Sequence, residues 1–248
     1  MDAVQMLLLA GIGIVAGILN VLAGGGSLLT LPLLIFLGLP APVANGTNRI
    51  AILCQNVVAV GSFRSKGVLP ARLALLCTVP ALLGSVLGAQ LAIDISEELF
   101  RQLLAAIMIG VVILMAVDPA RRLNFEQRPM TPLRTALLLL SFFVIGIYGG
   151  FIQAGVGFLI ISGLLLHGLD LVRINAVKVF VILFFTVAAL AVFVRHGQVN
   201  YPLGIALAVG NAGGGWIGTH LAVKKGHDWI RRLVFIVVLL FALKLVWF

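Results

Sequence analysis

Amides, hydroxyls and two cations gather beside two glycine clusters in a chain that is otherwise apolar. The first cluster is Ala23-Gly24-Gly25-Gly26-Ser27 and the second is Ala154-Gly155-Val156-Gly157-Phe158. Near the first stand Asn20, Ser27, Thr30, Asn45, Thr47, Asn48, Arg49, Gln55 and Asn56; near the second stand Gln153, Asn175 and Lys178. Glycine lets a backbone turn sharply and lets another backbone or a ligand come close. A helix that restarts after such a break presents unpaired N–H groups and the positive end of its dipole, which suit a small oxyanion. Arginine adds a planar fork of donors matched to two oxygens. The expected substrate-binding set is therefore Asn20, Gly24, Gly25, Gly26, Ser27, Asn45, Thr47, Asn48, Arg49 and Gln55, joined by Gln153, Gly155, Gly157, Asn175 and Lys178.

Plainer roles exist for several of these. Small residues let helices pack closely in bilayers, and the glycines could serve only that. Arg49 and Lys178 lie within a turn or so of segment starts, from which long cations snorkel to the interface. Asn45 and Asn175 could cap the helices they begin. Gln55 and Asn56 resist such a reading, because they lie well inside a span where an unpaired amide is costly.

The carboxylates Asp2, Asp94, Glu97, Glu98, Asp118, Glu126, Asp170 and Asp228 all fall in loops or at segment ends. None is available inside the membrane to carry a proton or hold sodium. Cys54 and Cys77 sit in apolar segments and suggest neither a disulfide scaffold nor a metal site. His167 and His220 stand near segment ends and read as interfacial, as do Trp216, Trp229 and Trp247. No metal and no cofactor is expected. An intramembrane enzyme would need a nucleophile, base or metal cluster, and the sequence offers no such constellation.

These residues need elements to hold them, and composition names the solvent. The 248 residues are 62% hydrophobic and 10% charged, and the mean hydropathy is +1.20. Soluble domains carry roughly 45–50% apolar and about 25% charged residues. The bilayer is thus the expected surrounding, and the net charge of +9 reflects basic loops rather than a nucleic-acid partner. Ten apolar segments are predicted, at 5–22, 27–38, 46–63, 71–93, 99–117, 134–152, 157–167, 175–194, 201–222 and 229–247. A span needs about 20 residues. The second and seventh are too short, and are half-helices, re-entrant elements, or continuations through the glycine break. The N-terminus lacks a basic leader region, so the first run reads as a retained span.

A repeat is legible at an offset of 130, which sets Asn45 on Asn175, Phe63 on Phe193, Gly67 on Gly197, Gly84 on Gly214, Gly88 on Gly218 and Arg101 on Arg231. The glycine clusters themselves align at 131. The expected architecture is an all-α polytopic membrane protein of two inverted five-segment repeats. Residues 1–117 form the first repeat, 118–133 a cytoplasmic linker, and 134–248 the second repeat. With ten crossings, Arg64, Lys66, Arg72, Arg121, Arg122, Arg128, Arg134, Arg173, Lys224, Lys225, Arg231 and Arg232 share one side. The positive-inside rule makes that side cytoplasmic and places both termini outside. Eight crossings would split these charges. Inverted repeats with broken helices are an architecture of secondary transporters.

The run Asn20-Val-Leu-Ala-Gly-Gly-Gly-Ser-Leu-Leu-Thr-Leu-Pro32, then Leu37-Gly38-Leu39-Pro40 and Ala44-Asn45-Gly46-Thr47-Asn48, resembles the signature of the TauE/SafE sulfite exporter family. The similarity extends through Gln153-Ala-Gly-Val-Gly157 and Asn175-Ala-Val-Lys178 and covers essentially the whole chain. It implies a small permease of the bacterial or archaeal cytoplasmic (inner) membrane, built as two related halves. It also implies export or exchange of sulfite, sulfoacetate or other organosulfonates. The implied partners are a small sulfur-containing anion and the lipid bilayer, with no nucleic acid; assembly as a homo-oligomer is left open. The second half departs from the first: Phe151 stands for Asn20, Val156 for the middle glycine, and Val177-Lys178 for Thr47-Asn48. The two ends of the site should therefore differ chemically. An anion-selective channel, or an exchanger of another small anion, would need the same lining as a permease.

Overall fold

The computed structural model describes residues 3–117, 131–165 and 170–224. Within them the chain forms nine helices and no strand. These are α1 Ala3–Leu22, α2 Ser27–Phe36, α3 Ala41–Ser65, α4 Ala71–Ile93, α5 Glu97–Val117, α6 Pro132–Phe151, α7 Val156–Leu165, α8 Leu171–Arg195 and α9 Tyr201–Lys224. The nine correspond to the first nine predicted segments. The tenth, 229–247, lies outside the described residues, as do linker residues 118–130 and His167.

Helix ends follow local chemistry. Pro132 and Leu133, assigned to the linker from sequence, open α6. Proline fits the first helical position, where its missing N–H costs nothing, and Thr131 Oγ1 accepts the Arg134 N–H at 3.4 Å. α3 and α8 start at Ala41 and Leu171, a turn earlier than predicted. Pro40 precedes α3, and Asp170 Oδ1 caps α8 by accepting the N–H groups of Val172 and Arg173, both at 3.0 Å. Asn45 and Asn175 thus stand inside their helices rather than capping them.

The burial pattern is that of a protein in lipid. On α4, Leu75, Val79, Leu83, Leu87 and Leu91 form an exposed apolar stripe, and Leu133, Leu137, Leu140 and Val144 do so on α6. The polar residues Asn20, Asn45, Asn48, Arg49, Gln55, Asn56, Gln153, Asn175, Lys178 and Asn211 are buried. Four helices, at Gln5–Leu22, Ala71–Ile93, Pro132–Phe151 and Leu171–Arg195, are long and apolar enough to cross a membrane. α2, of 10 residues, and the described part of α7, also 10, rise about 15 Å, half of the ~30 Å hydrocarbon core.

Two glycine seams hold the helices. Between α1 and α9, a Cβ on Gly17 would lie 2.5 Å from Asn211 O, and one on Gly210 or Gly214 would strike Ala10 O or Ile14 O. Between α4 and α6, a Cβ on Gly84 or Gly88 would strike Phe143 O or Ile147 O, and one on Gly146 or Gly150 would strike Ala81 O or Ser85 O. Without a hydrophobic drive between helices in lipid, such close backbone approach supplies the van der Waals contact.

The contacts also give directions. Ala10 and Ile14 meet Gly210 and Gly214 in that order, so α1 and α9 run parallel. Thr47 Oγ1 accepts the Asn200 N–H at 2.8 Å and Ser62 Oγ meets Thr219 Oγ1 at 2.7 Å, so α3 also runs parallel to α9. By the same test α4 and α6 are parallel, and α8 follows α4, with Ser85 Oγ on Phe185 O at 3.2 Å and Gln198 Nε2 on Ile93 O at 3.3 Å. α3 begins where α8 ends, since Gly46 abuts Gln198 and Phe193. Three helices therefore run one way and three the other. Lys66 ends α3 on the side where Lys224 ends α9; burial first, then the Lys224 charge, lowers the Lys66 ammonium below its ordinary range.

The seams make a direct prediction. Gly88→Val should prevent α4 and α6 from meeting, because its side chain strikes the Ile147 carbonyl. Overpacking ordinarily costs about 1–3 kcal/mol, and a backbone clash gives less room for relief. Gly110→Val, on α5 with nothing within 4 Å, is the control. Thermal unfolding in detergent should show a lowered Tm, or no monodisperse protein, for the first variant only.

Candidate functional site

The first break arises because α1 cannot continue past Gly24. Its φ of +81° is left-handed, a conformation that glycine adopts without steric cost. The N–H groups of Ala23 and Gly24 close onto Leu19 O at 2.8 and 3.1 Å. The chain then folds back, and Gly26 packs against Ala16 O and Asn20 Cβ. Leu28 and Leu29 donate to Gly25 O and Gly26 O, both at 3.0 Å, while the N–H groups of Gly25, Gly26 and Ser27 take no partner among the described residues.

The second break repeats this with a different residue. Gln153 is left-handed at φ +60°, a strained state for a side-chain-bearing residue, costing roughly 1–3 kcal/mol. Its Nε2 donates to Thr186 Oγ1 at 2.8 Å, and the Tyr148 hydroxyl donates to Ala154 O. Gly155 is left-handed at +72°, and the N–H groups of Gly155 and Gly157 take no partner among the described residues. The breaks lie against each other: a Cβ on Gly24 would sit 2.5 Å from Gly157 Cα.

The register differs from the one read off the glycines. α1 and α6 end at Leu22 and Phe151, and α2 and α7 begin at Ser27 and Val156, so this part matches at an offset of 129. Gly24 then corresponds to Gln153, and Asn20 to Gly149. From α3 onward, with starts at Ala41 and Leu171 and at Ala71 and Tyr201, the offset is 130. Aligning the glycines at 131 sets Gly24 on Gly155, which is also left-handed, whereas the helix ends on either side of the breaks match at 129.

Arg49 and Lys178 are both fully buried, not snorkelling to an interface. Arg49 donates to Gly149 O at 3.1 Å, Gly150 O at 2.5 Å and Asn45 Oδ1 at 3.5 Å, and lies 4.7 Å from the centre of the Phe193 ring. Lys178 Nζ donates to Val21 O and Asn175 Oδ1, each at 2.7 Å. Val21 and Gly150 correspond at the same offset of 129. Each cation thus satisfies the carbonyl end of the first helix of the other set, where the helix dipole is negative. Among the described residues neither has a carboxylate partner; the ion pairs there are Arg101–Glu97 and Arg173–Asp170.

The expected residues divide accordingly. Asn20, Gly24, Gly25, Gly26, Ser27 and Gln55 gather at the first break, with Asn20 Nδ2 on Gln55 Oε1 at 3.1 Å. Asn48 Oδ1 is taken by Thr30 Oγ1 at 2.6 Å. Asn45 Nδ2 donates to Phe151 O at 2.7 Å, whereas Thr47 turns to the Asn200 loop. Gln153, Gly155 and Gly157 form the second break, and Asn175 and Lys178, on α8, stand at the end of α1, where Lys178 reaches Val21 O. Arg49 Nε, Gln55 Nε2, Asn56 Oδ1, Gln153 Oε1 and Asn211 Oδ1 are buried without a hydrogen-bond partner among the described residues. Thr186, Asn211 and Tyr148 were missed from sequence; a polar atom inside an apolar run was the signal for each. Phe193, the platform under Arg49, carried no such signal.

An all-helical protein with apolar flanks, glycine seams and a buried cationic centre is an integral membrane protein. Residues 9–245 match the family model described as sulfite exporter TauE/SafE, and the chain belongs to that family. It is 27% identical over 232 residues to the probable membrane transporter protein ORF9 of Sinorhizobium sp, covering 93% of this chain and 88% of that one. It is 26% identical to a probable membrane transporter protein of Haemophilus influenzae, covering 95% and 92%. It is 27% identical to the probable membrane transporter protein YfcA of Escherichia coli K12, covering 95% and 87%. No solved structure matches the chain.

Lys178→Met keeps side-chain bulk but leaves Val21 O and Asn175 Oδ1 without this donor. An orphaned buried polar group costs about 1–3 kcal/mol, so the variant should unfold at a clearly lower temperature. Arg64→Met, at an exposed position, should not.

Proposed function

We propose that the protein is a permease that exports small sulfur-containing oxyanions, such as sulfite, sulfoacetate or other organosulfonates, by alternating access. The observation that carries this reading is the pair of buried cations, Arg49 and Lys178, set at two facing helix breaks and, among the described residues, balanced by carbonyls and not by a carboxylate. Unused N–H groups at Gly25, Gly26, Ser27, Gly155 and Gly157 add donors. Together they form a positive, donor-rich centre, and an anion is what such a centre attracts. The family and its relatives support transport.

In this reading residues 1–117 and 134–248 are inverted halves of five segments, joined by a cytoplasmic linker at 118–133. The opposed directions of α1, α3 and α9 against α4, α6 and α8 support inversion. An in-plane two-fold axis relating the halves passes where their breaks meet, which puts the site near the middle of the bilayer. Lys66 and Lys224 share one face, which the positive-inside rule makes cytoplasmic in a bacterial or archaeal inner membrane. A negative-inside potential drives an anion outward by ~2.3 kcal/mol per charge per 100 mV, so export needs no co-ion.

Purified protein in liposomes should release sulfite and sulfoacetate saturably, at rates that rise with an imposed inside-negative potential. Absence of saturable flux of both anions from folded protein overturns the anion reading. Flux driven by external acidification at zero potential overturns the uniport mechanism alone.

A further inference from the structure

The positional match between the two helix sets makes their differences informative. At the offset of 129 Asn20 of α1 corresponds to Gly149 of α6, and at 130 Gln55 of α3 corresponds to Phe185 of α8. In the first set these positions form a buried amide pair, joined at 3.1 Å. In the second they form an apolar contact: a Cβ on Gly149 would lie 2.8 Å from Phe185 Cζ, and Phe185 is fully buried. The same two positions are thus polar at one end and aromatic at the other.

Both ends border the breaks. Asn20 Cβ lies beside Gly26, and Gln55 packs on Gly215. Gly149 O receives Arg49, and Thr186, next to Phe185 in the chain, receives Gln153. Gln55 Nε2 is buried and has no partner among the described residues, and a dry interior makes an empty amide N–H costly. A symmetric inorganic oxyanion would call for donors at both ends. The mate of Gln55 offers only a ring.

Resting on the anion reading above, we infer that Gln55 and Phe185 are specificity-determining residues of a one-ended site. Gln55 Nε2 donates to the oxyanion group, and Phe185 receives the carbon-bearing end. The site therefore prefers an alkyl-bearing sulfonate to a bare inorganic oxyanion, and the preference grows with the first methylenes.

Proteoliposomes holding the full chain test this with sulfite and with methane-, ethane- and propanesulfonate under one imposed potential. In the wild type KM should fall along the alkyl series, by about tenfold or more per methylene that reaches the ring. Phe185→Gln should erase most of that gradient. Gly149→Ala, which crowds the ring, should raise the propanesulfonate KM about tenfold more than the sulfite KM. Gln55→Leu should raise KM for every anion by roughly 10–100-fold, as expected for losing a hydrogen bond to a charged group. Variants are compared as monodisperse protein of measured Tm; if Phe185→Gln does not fold, Gly149→Ala carries the comparison. Saturable flux with an unaltered gradient in the folded variants, or a Gln55→Leu KM equal to wild type, overturns this assignment and leaves the anion reading standing. Absence of saturable flux of any anion in the wild type removes both.

Discussion

Backbone polar groups inside a bilayer have no water to turn to, and every break in a helix must find its partners within the protein. This chain breaks two helices in its interior, at Leu22 and at Phe151, and so frees carbonyls at the end of α1 and of α6. Lys178 and Arg49 answer that need from the far set of helices. Each is an expensive group in a dry interior, and each is held there by carbonyls at the negative end of a helix dipole rather than by a carboxylate. The two cations therefore serve the fold first, as caps in trans.

The rest of the architecture follows from holding those ends in place. Long side chains reach a carbonyl on another helix only if the axes come close, and the glycine seams of α1 with α9 and α4 with α6 supply that closeness. The left-handed turns at Gly24 and Gln153 then set the start of each short helix. The backbones of Gly24 and Gly157 touch, which no β-carbon would allow. The N–H groups that a helix start cannot satisfy for itself are thereby gathered at one place.

The match between the sets is close in backbone and loose in side chain. Gly67 and Gly197 turn alike at φ +68° and +67°, and Val21 O and Gly150 O receive equivalent cations. Yet one turn is made by glycine and the other by a strained glutamine, and one interior pair is Asn20–Gln55 while its counterpart is Gly149–Phe185. A shared backbone with unlike linings leaves the two ends chemically different.

Much of this was legible along the chain. Composition fixed the solvent, apolar runs located the nine described helices to within a few residues, and the glycine clusters marked both breaks, because each of these depends on residues adjacent in sequence. The helix starts at Ala41 and Leu171 were misjudged where the polar first turn hid a helix that proline and Asp170 begin. Matching glycine to glycine gives 131 across the breaks, whereas the helix ends that flank them match at 129, because the second break carries two left-handed residues, Gln153 and Gly155, where the first carries Gly24. Only tertiary structure decided where the donors of Arg49 and Lys178 go, that Thr47 serves the Asn200 loop, and that Phe193 underlies a guanidinium. Those partners stand about 100 or more residues apart, and such pairings are set by how helices pack, which no local pattern records.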